Sequence, residues 1–249
     1  MIGHALLNTL CTVLLTLLLM VPWLPLKRKS ARTAIWLFAG IYLLNEWLMV
    51  VGSALQEQWY PALGYNWLGK GVSLVVTLLL IPLVIRTKQP YAAAGLRLSV
   101  VPGSVPGCVL IGVGLLLLKA YFNYTATGTE LVTAERWWYQ ATLPGLQEEL
   151  LFRGVYLWLA GIACNRSGKE EEPVFSSRVI LFIAVLFALG HSLSLTLDTG
   201  LHFNPFAFAV ALLSGWVYTW IRVKSGSLLL PVLFHNLINI GITVAQVIK

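Results

Sequence analysis

Two adjacent carboxylates, Glu148 and Glu149, are followed by Arg153, so that residues 148–153 read E-E-x-x-x-R. Further on, Phe187 precedes His191 by four residues, and His235 precedes Asn239 by four. On a helix, residues four apart lie on one face. In the Glu149/Arg153 pair the acid is on the N-terminal side, the favourable order for an ion pair. The sequence therefore predicts that Arg153 keeps Glu149 ionised and structurally committed. Glu148 lies about 100° further round the helix and is expected to be the carboxylate without a local partner. A desolvated carboxylate of that kind suits a general base. His235 and Asn239 both carry donors that can stabilise a developing oxyanion. Phe187 is expected to pack beside His191 and limit its rotamers. Asn236 points to another face, where it suits helix packing.

These polar groups sit in a chain of 249 residues that is 58% hydrophobic and only 11% charged, with a mean hydropathy of +0.79. Soluble domains carry about 25% charged residues, so too few charges are present to cover a water-facing surface. The pattern predicts an all-α fold, a polytopic membrane helix bundle with about eight transmembrane helices. The predicted spans are Ala5–Leu26, Ala34–Leu55, Gly71–Ile85, Val105–Ala120, Trp138–Ala163, Val179–Leu197, Pro205–Val223 and Ser227–Ile248; crossing hydrocarbon takes about 20 residues, and the third and fourth are short of that. The first has no Lys or Arg ahead of it and no A-x-A site after it, so it is read as a span and not as a signal peptide. Tryptophans near span ends (Trp23, Trp59, Trp67, Trp137, Trp138, Trp220) fit an aromatic belt, and Tyr91–Leu98 suits the membrane interface. The chain reads as a single membrane domain over 1–249. Its four N-terminal spans, within 1–120, carry no assigned role, and 138–248 holds the helices with the three motifs.

The net charge of +7 does not indicate nucleic-acid binding, because the basic residues form short clusters between apolar runs. Twelve Lys and Arg follow spans 1, 3, 5 and 7 (Lys27, Arg28, Lys29, Arg32; Arg86, Lys88, Arg97; Arg166, Lys169, Arg178; Arg222, Lys224). Lys70, Lys119, Arg136 and Lys249 fall on the other side. The positive-inside rule then predicts both termini outside the cytoplasm, with a prokaryotic inner membrane as the suited location. Cys11, Cys108 and Cys164 are widely separated and suggest neither a disulfide framework nor a zinc cage. A charge at the centre of a span costs about 2.5–3.5 kcal/mol. Two carboxylates, two histidines and an asparagine on three spans are therefore hard to explain as packing. Buried Glu, His and Arg also mark transporters and proton pathways, and a non-catalytic immunity protein could share the fold.

The three motifs, in this order and each on a predicted span, resemble the family of CAAX proteases and bacteriocin-processing proteins, formerly the abortive-infection family, which includes the type II CAAX prenyl endopeptidases. The resemblance covers about Trp138–Gly241. It implies an intramembrane endopeptidase of glutamic type, with the site in a membrane cavity open toward the cytoplasm. Glu148 would correspond to the glutamate that activates water and His191 to the histidine that works with it. His235 and Asn239 would be the oxyanion-stabilising pair, and Glu149 and Arg153 the supporting acid and arginine. The implied partners are the lipid bilayer and a membrane-associated protein or peptide cleaved near its C-terminus. The family has also been described as metalloproteases. With no H-E-x-x-H helix, and Asn239 a poor zinc ligand, a mechanism without cofactor is expected here, zinc being the alternative.

Overall fold

The computed structural model describes residues 28–126, 132–165, 172–196 and 200–248, together with the isolated residues Cys11, Leu14, Leu15 and Leu18. Those four apart, the first predicted span lies outside the described residues. The chain forms helices α1 (Lys29–Trp59), α2 (Trp67–Val84), a single turn at Pro90–Ala93, and α3 (Val105–Ala126). Helix α4 (Ala134–Glu149) continues without a break through a π-helical segment (Leu150–Tyr156) into α5 (Leu157–Cys164). Then come α6 (Ser177–Ser192), a hairpin of β1 (Leu193–Thr196) and β2 (Gly200–Phe203), α7 (Pro205–Ser225) and α8 (Leu229–Val247). Five of these helices (α1, α2, α3, α7 and α8) are long and apolar enough to cross a membrane. The architecture is an all-α polytopic membrane bundle.

Local chemistry sets the helix ends. Asn66 caps α2, its side chain accepting from the Gly69 amide at 2.9 Å. Thr133 caps α4 and Asn204 caps α7 in the same way. Helix α7 stops at Gly226, whose φ of +71° is left-handed and costs glycine nothing. Along α2 the buried residues Gly69, Ser73, Thr77 and Ile81 recur every four residues, a narrow stripe of mostly small side chains. That stripe lets α2 approach α1 so closely that a Cβ on Gly52 would overlap the backbone of Gly69. The opposite faces are apolar too: Leu79, Leu83, Leu110 and Leu117 are each at least 64% exposed and form the lipid-facing surface.

Among the described residues two larger cores fill the bundle, with a small third cluster of Phe187, Ala188 and Ala211 between α6 and α7. One joins α1, the π segment, α5 and α6, with Phe38 at its centre against Tyr156 and Phe182. The other joins α3, α7 and α8 through Leu115, Tyr218, Phe234 and Ile238. The π segment closes with the Leu157 amide bonded to the Phe152 carbonyl, five residues back. Segments of this kind are rare and recur at functional sites.

One predicted boundary is corrected. The sixth span was expected to run to Leu197, but the helix ends at Ser192. Leu193–Thr196 forms a strand paired antiparallel with Gly200–Phe203, Leu193 opposite Phe203 and Thr196 opposite Gly200. The Asn204 amide donates to the Ser192 carbonyl at 2.9 Å and closes the base of the hairpin. Leu193 and Leu195 raise the hydropathy, but the hairpin supplies the backbone partners of Leu193–Thr196 in place of a last helical turn.

Candidate active site

The site is built where α4 passes into the π segment. Just before it, Asn236 of α8 accepts from the Gly145 amide at 3.0 Å and donates to the Thr142 carbonyl at 3.2 Å. This pins α8 to α4 and fixes the depth of His235 relative to the two glutamates. Asn236 thus packs helices, and His235 and Asn239 face elsewhere.

Glu149 and Arg153 are both completely buried. Arg153 Nη1 donates to Glu149 Oε1 at 3.0 Å, the i,i+4 pair expected from the spacing. The remaining guanidinium donors reach α7: Nη2 donates to the Gly215 carbonyl and Nε to Thr219 Oγ1, each at 3.3 Å. The guanidinium also lies 4.5 Å from the centre of the Phe187 ring, a cation–π contact. Glu149 Oε1 accepts a second bond, from His235 Nδ1 at 2.7 Å. A carboxylate only accepts, so this bond places a proton on Nδ1 of His235 and leaves Nε2 facing Glu148. Tyr218 stacks on the same imidazole at 5.0 Å, with 13° between the planes.

Glu148 has a different environment. Its side chain is 17% exposed, and Oε1 lies 2.5 Å from Nζ of Lys70 on α2. Glu148 thus has no local partner, as its place on the helix implies, yet it is not unpaired. A lysine 78 residues away supplies the partner. Its other oxygen, Oε2, is buried without a hydrogen-bond partner and lies 3.9 Å from Nε2 of His235. His191 is at the exposed end of α6, and its Nδ1 donates to the Phe187 carbonyl at 2.8 Å. That leaves Nε2 as the acceptor of the neutral ring. The Phe187 and His191 rings pack with centroids 4.2 Å apart, the contact predicted from their spacing. The carboxylate of Glu148 and the imidazole of His191 are close enough to interact electrostatically. Asn239 is one turn beyond His235 and half-buried; only its backbone carbonyl is engaged, by Thr243 Oγ1 at 2.9 Å.

Residues that the motifs do not contain complete the setting. Lys119 of α3 and Glu46 of α1 both interact electrostatically with Glu148. Gln147 donates to Asn45 Oδ1 at 3.1 Å and to Ser73 Oγ at 2.8 Å, and accepts from Lys70 at 3.4 Å. A faint signal was available in the sequence. Of the four cations on the sparse side, Lys70, Lys119 and Arg136 fall inside helices, where a loop count gives them no reason to be. As for metal, no group of three His, Cys, Asp or Glu side chains among the described residues converges as an ion would require. The one oxygen of Glu148 already engaged is bound to an ammonium.

The fold and this cluster define a multi-spanning membrane protein with ionisable residues gathered at mid-bundle. Residues 131–241 match the family model for type II CAAX prenyl endopeptidase Rce1-like proteins. That C-terminal segment is thus similar to CAAX-type intramembrane proteases. No curated protein and no solved structure matches the chain.

Proposed function

We propose that this protein hydrolyses a peptide bond near the C-terminus of a membrane-associated protein or peptide, with water activated by Glu148 and His191 and without a metal. The observation that carries the reading is Glu148 Oε2: a buried carboxylate oxygen with no protein partner, facing Nε2 of His235 across 3.9 Å. That gap suits a small reacting group. Water held between Glu148 Oε2 and His191 Nε2 gives its proton to the carboxylate, and the hydroxide attacks the scissile carbonyl. His235, donating from Nε2 when its ring is charged, and the Asn239 carboxamide hold the oxyanion. Collapse of the tetrahedral intermediate breaks the C–N bond, and Glu148 returns its proton to the leaving amine. Glu149 and Arg153 act at one remove, by holding the His235 ring through Nδ1.

The positive-inside count supports a bundle with both termini outside the cytoplasm of a prokaryotic inner membrane. The test is substitution in the purified, full-length protein. Substrates are first identified by mass spectrometry of membrane peptides from cells carrying wild type or Glu148→Gln. Glu148→Gln and His191→Ala are expected to lower the turnover of such a substrate by about 10²–10⁴. Cleavage that survives either substitution at wild-type rate overturns the mechanism.

A further inference from the structure

Resting on that reading, we infer that Lys70, on a helix outside the matched segment, is a positioning residue for Glu148. A lysine one turn inside a span ordinarily snorkels to the nearer interface, where its ammonium meets water and headgroups. Lys70 is the fourth residue of α2 and has that route open. It turns inward instead, with only 12% of its side chain exposed, and its Nζ contacts Glu148 Oε1 at 2.5 Å and Gln147 Oε1 at 3.4 Å. Gln147 is itself fixed, its amide nitrogen bound to Asn45 and Ser73 from two other helices. The ammonium is thus held by the same network that fixes the turn bearing Glu148.

The consequence is asymmetric. A carboxylate has two equivalent oxygens and a broad terminal torsion. With Oε1 bound to Lys70, the group keeps one orientation, and only Oε2 faces the gap toward His235. The base is presented in one position. Among the described residues nothing else around Glu148 does this. Lys119 and His191 interact with it at longer range, Glu46 repels it, and the two nitrogens of His235 face Glu149 and Oε2. The approach of α2 that brings Lys70 in range depends on the Gly52–Gly69 contact, one residue before the lysine. The N-terminal helices, which carry no motif, thereby contribute a residue to the active site.

The test uses full-length protein in detergent and a substrate found by the Glu148→Gln comparison. Lys70→Met is expected to lower kcat by about 10- to 100-fold with KM changed less than about twofold, since misplacing a reacting group by about 1 Å costs on that order. Lys70→Arg, which restores a cation on a stem of similar reach, is expected to recover most of the loss. Unfolding supplies a readout that does not depend on turnover. The fall in melting temperature caused by Lys70→Met is expected to be smaller in a Glu148→Gln background than in wild type, because the two side chains share one contact. Unchanged kcat in Lys70→Met, an arginine variant no better than methionine, or strictly additive melting shifts would each overturn the assignment. Cleavage that needs Glu148 but ignores Lys70 sinks this inference alone; cleavage indifferent to Glu148 sinks the Glu148 mechanism beneath it.

Discussion

Glu148 and Glu149 are neighbours in the chain but belong to two different regions of the molecule. Glu149 points toward α7 and α8 into a sealed knot. It has no exposure, a guanidinium one turn away, and an imidazole across the helix boundary. Glu148 points toward α2 and stays 17% exposed, with Oε1 on an ammonium and Oε2 left over. The residue type is the same and the helix is the same; a rotation of about 100° separates them. Packing, not side-chain identity, decides which acid is structural and which is available. A fully sealed charge needs opposite charge beside it, because an unpaired one is too costly inside a bundle; both donors to Glu149 converge on Oε1, and its Oε2 has no partner. Each glutamate keeps one unused oxygen, but only Glu148 retains the exposure to offer it to a bound group.

Breaking the sealed side should show mainly in stability. Arg153→Met leaves Glu149 and His235 without the guanidinium, and leaves the Gly215 and Thr219 oxygens without its donors. Removing one partner of a buried pair costs about 3–5 kcal/mol, read as a lowered unfolding midpoint in detergent. A midpoint within about 0.5 kcal/mol of wild type would mean that the knot is not what holds α4, α7 and α8 together. On the open side the balance reverses. Asn239→Ala is expected to cost about 10²–10³ in kcat, as loss of one oxyanion donor does, and to leave the unfolding midpoint nearly unchanged, since the carboxamide is half-buried and no side-chain hydrogen bond is lost. A large drop in midpoint with kcat retained would place Asn239 on the structural side instead. Gly52→Ala tests whether the two sides are separable. The new methyl has no room against Gly69, so overpacking is expected to cost about 1–3 kcal/mol and to move Lys70 away from Glu148. Turnover should fall as it does in Lys70→Met while the Arg153 knot stays formed.

What the sequence reveals of this site follows the length of the contacts. The spans are legible because hydropathy averages over 20 residues, and each described span has its helix. The Glu149–Arg153 pair and the Phe187–His191 packing are legible because both are local, fixed by a spacing of four. The bond from His235 to Glu149 joins residues 86 apart, and that from Lys70 to Glu148 joins residues 78 apart. No periodicity encodes either. Lys70 was also hidden by the rule that reveals orientation. Counting cations by loop treats a lysine near a span end as facing water, whereas here the ammonium turns toward a carboxylate. The π segment leaves no trace in composition, since Leu150–Tyr156 reads as ordinary apolar helix. The β1–β2 hairpin was obscured because Leu193 and Leu195 extend the apolar run past the true helix end.

A third glutamate on the same helix extends the comparison to water. Glu135 lies in the first turn of α4, ahead of the predicted span, and its carboxylate ties down the loop between α1 and α2. It accepts from the Gly64 amide at 3.0 Å, the Tyr65 amide at 3.1 Å and the Trp67 indole at 3.0 Å. Partial burial works against the charged form, but these three donors favour it, and the group is held below the ordinary carboxylate range. A carboxyl with a depressed folded value stabilises fully above its unfolded pKa of about 4.3 and loses that contribution as pH falls through the folded value. The loop should therefore stay docked near neutral pH and loosen under acid. Trp67 packs edge-on against Tyr139 in the same cluster, so its fluorescence, with the other tryptophans replaced, is the natural probe. The signal is expected to change below about pH 4 in wild type. In Glu135→Gln it should be flat and already shifted, since an amide offers one acceptor oxygen where the carboxylate uses two. Because the site is open to water, the effect on global unfolding should be the smallest of the series. A wild-type signal that stays constant from pH 6 to the acid limit would show that the loop is held by its aromatic stack alone, Tyr65 on Tyr139 at 4.8 Å, and not by the charge.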